Sequence, residues 1–289
     1  MDNRHDVFDR WRPGPNLCSI DFVVKLELLP STFERDGSAV RRQHLTTLVL
    51  DDAIAFDAGC LAIGCSEKQR ENIRDIVVSH AHLDHVAGLP LFIDDLFSTL
   101  TEPIRVHASA EVIGILEEHI FNWSVYPRFS ELENDFGPVM EYVVFSPGSE
   151  FSIGKYSVVP IQVNHKVPSC GFIIKDGKAT IASTGDTAPT ETFWNAVNDL
   201  DALDAVLVEC AFPDELADLA EISHHLTPKA LAGELEKLDR TDCRIYVSNI
   251  KPSYRDRTVS EIEGLGIERL KVLEVGREYV WPLGDVAIG

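Results

Sequence analysis

Ile76-Val77-Val78-Ser79-His80-Ala81-His82-Leu83-Asp84-His85-Val86-Ala87-Gly88-Leu89-Pro90 puts four potential metal ligands, His80, His82, Asp84 and His85, inside six residues. They follow an apolar β-branched run and precede a Gly-Leu-Pro turn. A strand that ends in a ligand-rich loop fixes the loop's origin, which suits a metal centre. On an extended loop His80, His82 and Asp84 point one way and His85 the other. One short segment then serves two adjacent ions, one through His80 and His82 and one through Asp84 and His85. A lone buried histidine is usually only hydrogen-bonded; three histidines and an aspartate at this density point instead to metal binding. Imidazole and carboxylate donors with no nearby thiol favour zinc, manganese or iron over a structural zinc finger.

The rest of the composition is that of a globular protein. The chain has 289 residues, 45% hydrophobic and 25% charged, enough for one large domain. Against 26 lysines and arginines stand 47 aspartates and glutamates, a net charge of −21. A field of that sign disfavours long nucleic acid as a partner but not a small anionic substrate, because local metal charge can dominate a site. Six cysteines occur without a Cys-x-x-Cys, so no secreted disulfide framework is expected. The polar stretch Met1–Asn16 holds no apolar signal core and no run of about 18 apolar residues is present, so neither a signal peptide nor a membrane span is expected, and the expected location is cytoplasmic. Residues 1–16 read as a flexible N-terminal tail and 17–289 as a single domain; a homodimer is the default oligomer.

Strands are expected over Ile20–Leu28, where apolar residues alternate, and over Leu45–Leu50 and Ala53–Phe56, which end at Asp57-Ala58-Gly59. A helix over Lys68–Arg74 and a strand over Asp75–Ser79 lead into the histidine loop. Leu91–Leu100 reads as a helix, Ile104–Ala108 as a strand and Ala110–Ile120 as a helix. The aromatic-rich, irregular residues 121–141 fit either a lid over the site or a loop pinned to the core by its rings. Strands at Val143–Phe145 and Tyr156–Val163 run into Asn164-His165-Lys166-Val167-Pro168-Ser169. The strand Thr180–Thr184 ends in Gly185-Asp186-Thr187, and Ala205–Val208 ends in Glu209-Cys210-Ala211-Phe212. Thr227 and Pro228 in His224-His225-Leu226-Thr227-Pro228 open a helix running to about Lys237. The strand Arg244–Val247 leads to Ser248-Asn249-Ile250-Lys251-Pro252. A helix near Val259–Leu265 and strands near Leu270–Leu273 and Tyr279–Trp281 close the chain.

His-x-His-x-Asp-His after a strand, followed in order by the histidine at 165 and the Thr-Gly-Asp step ending at 186, resembles the metallo-β-lactamase fold over roughly residues 20–281. The longer strings, including Asn164 to Ser169, His-Leu-Thr-Pro and Ile-Lys-Pro, are similar to class II cyclic-nucleotide phosphodiesterases. The resemblance implies an α/β protein, a four-layer αββα sandwich with its site at the sheet edge. It implies two divalent metal ions, zinc first, with manganese or iron as alternatives. His80, His82, His165 and a bridging Asp186 would hold one ion; Asp84, His85 and Asp186 the other. Asp57 would brace the metal loop from behind. Catalysis would rest on Asp84 and on a Glu209–His225 pair in which His225 protonates the leaving oxygen, with His224 its competitor. Lys251 and Ser169 would contact substrate.

One position departs from the family pattern. Asn249 stands where Thr-His-Ile-Lys-Pro would supply a histidine to the second ion, and a neutral amide oxygen is the weaker ligand for zinc-like metals. The expected activity is hydrolysis of 3′,5′-cyclic nucleotides such as cAMP or cGMP to 5′-nucleotides. The alternatives are a tRNA 3′-processing phosphodiesterase, hydrolysis of thioesters, lactones or β-lactams, and a non-catalytic nucleotide-binding protein with an impaired second metal site.

Overall fold

The computed structural model describes residues 24–282. The tail read at 1–16 and the first residues of the strand read from Ile20 lie outside the described residues. Among the described residues, sixteen strands and nine α-helices build two seven-stranded sheets and one small hairpin.

The first sheet takes β1 (Val24–Leu28), β2 (Leu48–Leu50), β3 (Ile54–Phe56), β4 (Asp75–Val77) and β5 (Ile104–Ser109) in sequence order. The hairpin of β6 (Glu133–Asn134) and β7 (Gly137–Pro138) stands apart, and β8 (Met140–Phe145) closes one edge of the sheet. The second sheet runs from β9 (Phe151–Ile153) through β10 (Tyr156–Gln162), β11 (Cys170–Lys175), β12 (Thr180–Ser183), β13 (Ala205–Glu209) and β14 (Arg244–Ser248) to β15 (Leu270–Val272). The last strand, β16 (Glu278–Trp281), returns to the first sheet beside β1, with Val24 opposite Trp281.

Burial follows these positions. In β1, Val24, Leu26 and Leu28 are buried while Lys25 and Glu27 are half-buried, the alternation of a strand with one wet face. All five residues of β13 are buried because helices and the opposing sheet cover both of its faces. Three apolar clusters mark the layers. Leu26, Phe56, Phe172, Tyr246 and Trp281 fill the space between the sheets. Phe92, Val106 and Leu116 pack α4 (Gly88–Leu96) and α5 (Ala110–His119) on the outer face of the first sheet. Trp194, Leu231, Val208 and Ile262 pack α6 (Thr192–Asn198), α8 (Pro228–Leu235) and α9 (Arg255–Gly264) on the second. This is the expected four-layer αββα sandwich. The strands β3, β4, β12, β13 and β14 run parallel within their sheets and all end at one rim. Open α/β sheets bind ligands at such carboxyl ends.

One local expectation is corrected and one alternative is chosen. Gly88-Leu89-Pro90 is not a turn but the opening of α4. Proline within the first turn forfeits no intrahelical bond, and Gly88 is required because a Cβ there would lie 2.6 Å from the Ala58 carbonyl oxygen. Residues 121–141 are a loop pinned to the core. Phe121 and Phe129 are fully buried and their rings meet Tyr126 and Phe97 beside α4 and α5. Among the described residues no helix is long and apolar enough to cross a membrane.

Candidate metal centre

Asp57, at the end of β3, organises the histidine loop. Its Oδ1 accepts the Ser79 N–H (2.8 Å). Its Oδ2 accepts from Ser79 Oγ (2.8 Å) and faces His85 Nδ1 (2.6 Å). Ser79 has given its only hydroxyl proton to Asp57, so at 2.9 Å it accepts from His80 Nδ1. His80 is thereby protonated on Nδ1 and turns a bare Nε2 inward, while Asp57 fixes the His85 ring through its Nδ1. Gly59 follows from the same geometry: the loop passes so close that a Cβ would stand 1.9 Å from the Asp84 carbonyl oxygen.

His165 arrives from the second sheet, just past β10. Its Nδ1 donates to the His224 carbonyl (3.0 Å), an acceptor only, so its Nε2 is bare as well. His82 Nδ1 lies 3.2 Å from His80 Nε2 and 3.1 Å from His165 Nε2. Burial lowers the pKa of all three rings, His80 well below the ordinary imidazole value and His165 to about 4, so they are neutral at neutral pH. Three nitrogens at that spacing cannot all be satisfied by one another's protons. A cation among them resolves the conflict, and these donors fit a divalent ion.

The fully buried Asp186 marks a second position. Its Oδ2 is 3.2 Å from His85 Nε2 and 3.9 Å from His80 Nε2. Despite that approach His85 Nε2 has no aligned hydrogen-bond partner, a buried orphan that a metal ion would satisfy. His85 and its neighbours overcome the effect of burial and hold Asp186 well below the usual carboxylate range. The donor atoms of His80, His82 and His165 cluster within 4.8 Å of one another, as do those of His80, His85 and Asp186.

The extended loop predicted beyond His82 does not form. His82 is instead the N-cap of a helical turn, α3 (Leu83–Val86), so side chains at 84 and 85 diverge at helical spacing. Asp84 Oδ2 bonds Lys251 Nζ at 2.9 Å and joins no ligand cluster among the described residues. Asn249, in the left-handed region at φ 53°, donates its Nδ2 to Asp186 Oδ1 at 2.5 Å. It therefore meets the central carboxylate as a donor, not as an outward-facing ligand oxygen. Ser169 is 4% exposed with an unpartnered Oγ, and the structure does not present it to substrate.

Glu209, at the end of β13, accepts the N–H groups of Thr187 (3.0 Å), Ala211 (3.0 Å) and Leu226 (3.1 Å) and faces His225 Nδ1 at 2.7 Å. So many donors fix the carboxylate and, through it, the ring, leaving His225 Nε2 free to exchange a proton. Burial alone would lower the pKa of His225; the charge and hydrogen bond of Glu209 outweigh it and raise it. Phe212 packs on the ring at 5.7 Å between centroids. His224 turns its Nδ1 to Asn164 (3.1 Å) and lends its carbonyl to His165. Two parts of the site escaped sequence reasoning. Ser79 had a visible signal, a hydroxyl directly before His80; the His224 carbonyl, a backbone group, had none.

A family model described as "Beta-lactamase superfamily domain" matches residues 60–245. A "Probable 3′,5′-cyclic-nucleotide phosphodiesterase" of Yersinia pestis is 29% identical over 210 residues, 64% of this chain and 59% of that protein. A "3′,5′-cyclic-nucleotide phosphodiesterase" of Aliivibrio fischeri is 29% identical over 238 residues, 74% of this chain and 69% of that one. The crystal structure of unliganded yeast PDE1 superposes with a TM-score of 0.70 at 18% identity, covering 88% of this chain and 97% of its own.

Proposed function

The chain belongs to the β-lactamase superfamily, and on that premise we propose that it is a metal-dependent phosphodiesterase that opens 3′,5′-cyclic nucleotides to 5′-nucleotides. The observation that carries this reading is the Glu209–His225 pair set beside the two histidine–aspartate clusters. A sugar alkoxide is a poor leaving group and needs a proton; a hydrolase of β-lactams or thioesters needs it less. Proteins whose names state this activity align over 64% and 74% of this chain.

His80, His82 and His165 would hold one divalent ion. His85 and Asp186 would hold a second, with Asp84 and Asn249 at its margin. Bound there, such ions lower the pKa of a water and offset charge on the phosphoryl oxygens. Zinc suits the first set of donors; the amide at 249 favours a harder ion such as manganese at the second, or iron. Water attacks phosphorus and the P–O3′ bond breaks. Asp84, kept ionised by Lys251, takes the water's proton, and His225 Nε2 gives its own to O3′. Lys251 adds positive charge on the phosphate's side. Five free cysteines among the described residues agree with a reducing, cytoplasmic setting.

The test joins metal content by elemental analysis to turnover of 3′,5′-cAMP and 3′,5′-cGMP with added zinc or manganese. About two ions per chain and 5′-nucleotide as product are expected. Absence of turnover on both substrates under both metals overturns the proposal.

A further inference from the structure

A groove of about 990 Å³ lies between the loop carrying Arg41 and Arg42 and the start of α9. Arg41, Arg42, Arg255 and Arg257 line it. Arg257 is neutralised by Glu215 (2.6 Å) and Glu261 (3.0 Å). The side chains of the other three make no hydrogen bond or ion pair among the described residues, although Glu34 and Asp256 share the groove. In a chain of net charge −21, guanidinium groups left unpaired and gathered from opposite ends of the sequence are the exception. The N-cap of α9, Tyr254, supplies no side-chain acceptor, and the helix's positive end on the same wall is partly offset by Asp256 in its first turn.

Both walls lead along the chain to residues that contact the candidate active site. The Arg41 loop ends at Thr46, whose N–H donates to the Asp84 carbonyl at 2.7 Å. The opposite wall starts from Lys251, which holds the Asp84 side chain. From there the ring of Tyr254 packs 5.9 Å from Phe212, the residue seated on His225. Unpaired guanidinium groups meet phosphate oxygens with paired, charge-assisted bonds, and the partly exposed Tyr254 ring beside them offers a face to a base.

We infer that this groove holds a second phosphate of the substrate, so that the site prefers a dinucleotide with a phosphate beyond the one cleaved. The inference deepens the proposed activity and rests on it. A cyclic dinucleotide and a 5′-phosphorylated linear dinucleotide present the same chemistry, and the test separates them.

The experiment measures equilibrium binding to the full, zinc-loaded chain. The probes are non-hydrolysable phosphorothioate analogues of cyclic di-AMP, of 5′-phosphorylated ApA and of 3′,5′-cAMP. Binding of at least one dinucleotide about tenfold tighter than the cAMP analogue is expected, as for a gained hydrogen bond to a charged group. The Arg41→Gln/Arg255→Gln variant loses that advantage and binds the cAMP analogue as before; Arg42→Gln alone loses part of it. The tighter of the two dinucleotides identifies the source. Equal affinity for all three probes, or equal weakening of all three in the variants, overturns the inference. Because these are binding data, failure of the proposed chemistry would appear separately, as cAMP bound but never cleaved.

Discussion

At His225 the buried pair with Glu209 makes a claim that separates general acid catalysis from mere support. His225→Ala should lower kcat on cyclic nucleotides by about 10² to 10⁴-fold, the usual range for a lost proton donor. On a p-nitrophenyl phosphodiester, whose leaving group departs unprotonated, the same variant should stay near wild type. Similar losses on both substrates would make His225 structural. The sign of its pKa shift adds a second reading. The acid must be protonated to work, and Glu209 raises its pKa above the ordinary imidazole value. In a kcat profile the wild type should therefore hold its rate through neutrality and lose it as pH climbs past that raised value. The variant should lack that alkaline limb. Beside it, Asn249 shows how one residue alters a centre without dismantling it. Its amide nitrogen satisfies Asp186, whereas a histidine there could offer a bare nitrogen to a metal.

At the scale of the element, β4 and β5 are joined by more than their ladder. Asp75 takes two hydrogen bonds from Arg105, both 2.7 Å, and lies 2.8 Å from His107 Nε2. Burial would raise its pKa, but Arg105 and His107 bring it from 3.8 down to about 2. A carboxylate held lower in the folded chain than in the unfolded one stabilises the fold above its unfolded value. That contribution fades as pH falls through the folded value. Asp75→Asn should therefore cost about 2 kcal/mol at pH 7 and progressively less from about pH 4 towards pH 2. Urea midpoints of the two proteins at pH 7, 4 and 3 check this, and a difference that does not shrink with acid would refute it. Elements like these were readable in the sequence because their signals are local: alternation in β1, the buried run of β13, Thr227 before Pro228. The metal loop was readable in its composition and not in its shape. Whether Leu83–Val86 extends or coils is decided by the contacts of Gly59 and Gly88 with distant backbone. For the same reason Asp84 was paired with His85 and not with Lys251. The burial of Ser169 likewise depends on strands that no short window contains.

Over the whole molecule, the centre straddles the two sheets. His80, His82 and His85 stand on a loop of the first sheet, while His165 and Asp186 come from strand ends of the second. The apolar layer between the sheets holds the halves together, with edge-to-face ring pairs such as Phe56–Phe172 and Tyr246–Tyr279 adding about 0.5 to 1.5 kcal/mol each. At the rim that layer gives way to the imidazoles of His80, His82 and His165, whose ring nitrogens crowd one another, while Asp186 meets His85 across the sheets at 3.2 Å. An ion bound there ligates both halves, and it binds the folded chain far better than the unfolded one. Mass action then sets the gain: at a hundredfold excess over the dissociation constant it is about 2.7 kcal/mol. Zinc or manganese should raise the melting temperature by several degrees as the metal concentration rises, and a chelator should reverse the change. His165→Ala removes the second sheet's histidine from the first cluster and should abolish most of the shift while the untreated fold persists. A melting temperature indifferent to metal, or an equal shift in the variant, would mean that the histidines do not join the sheets through an ion.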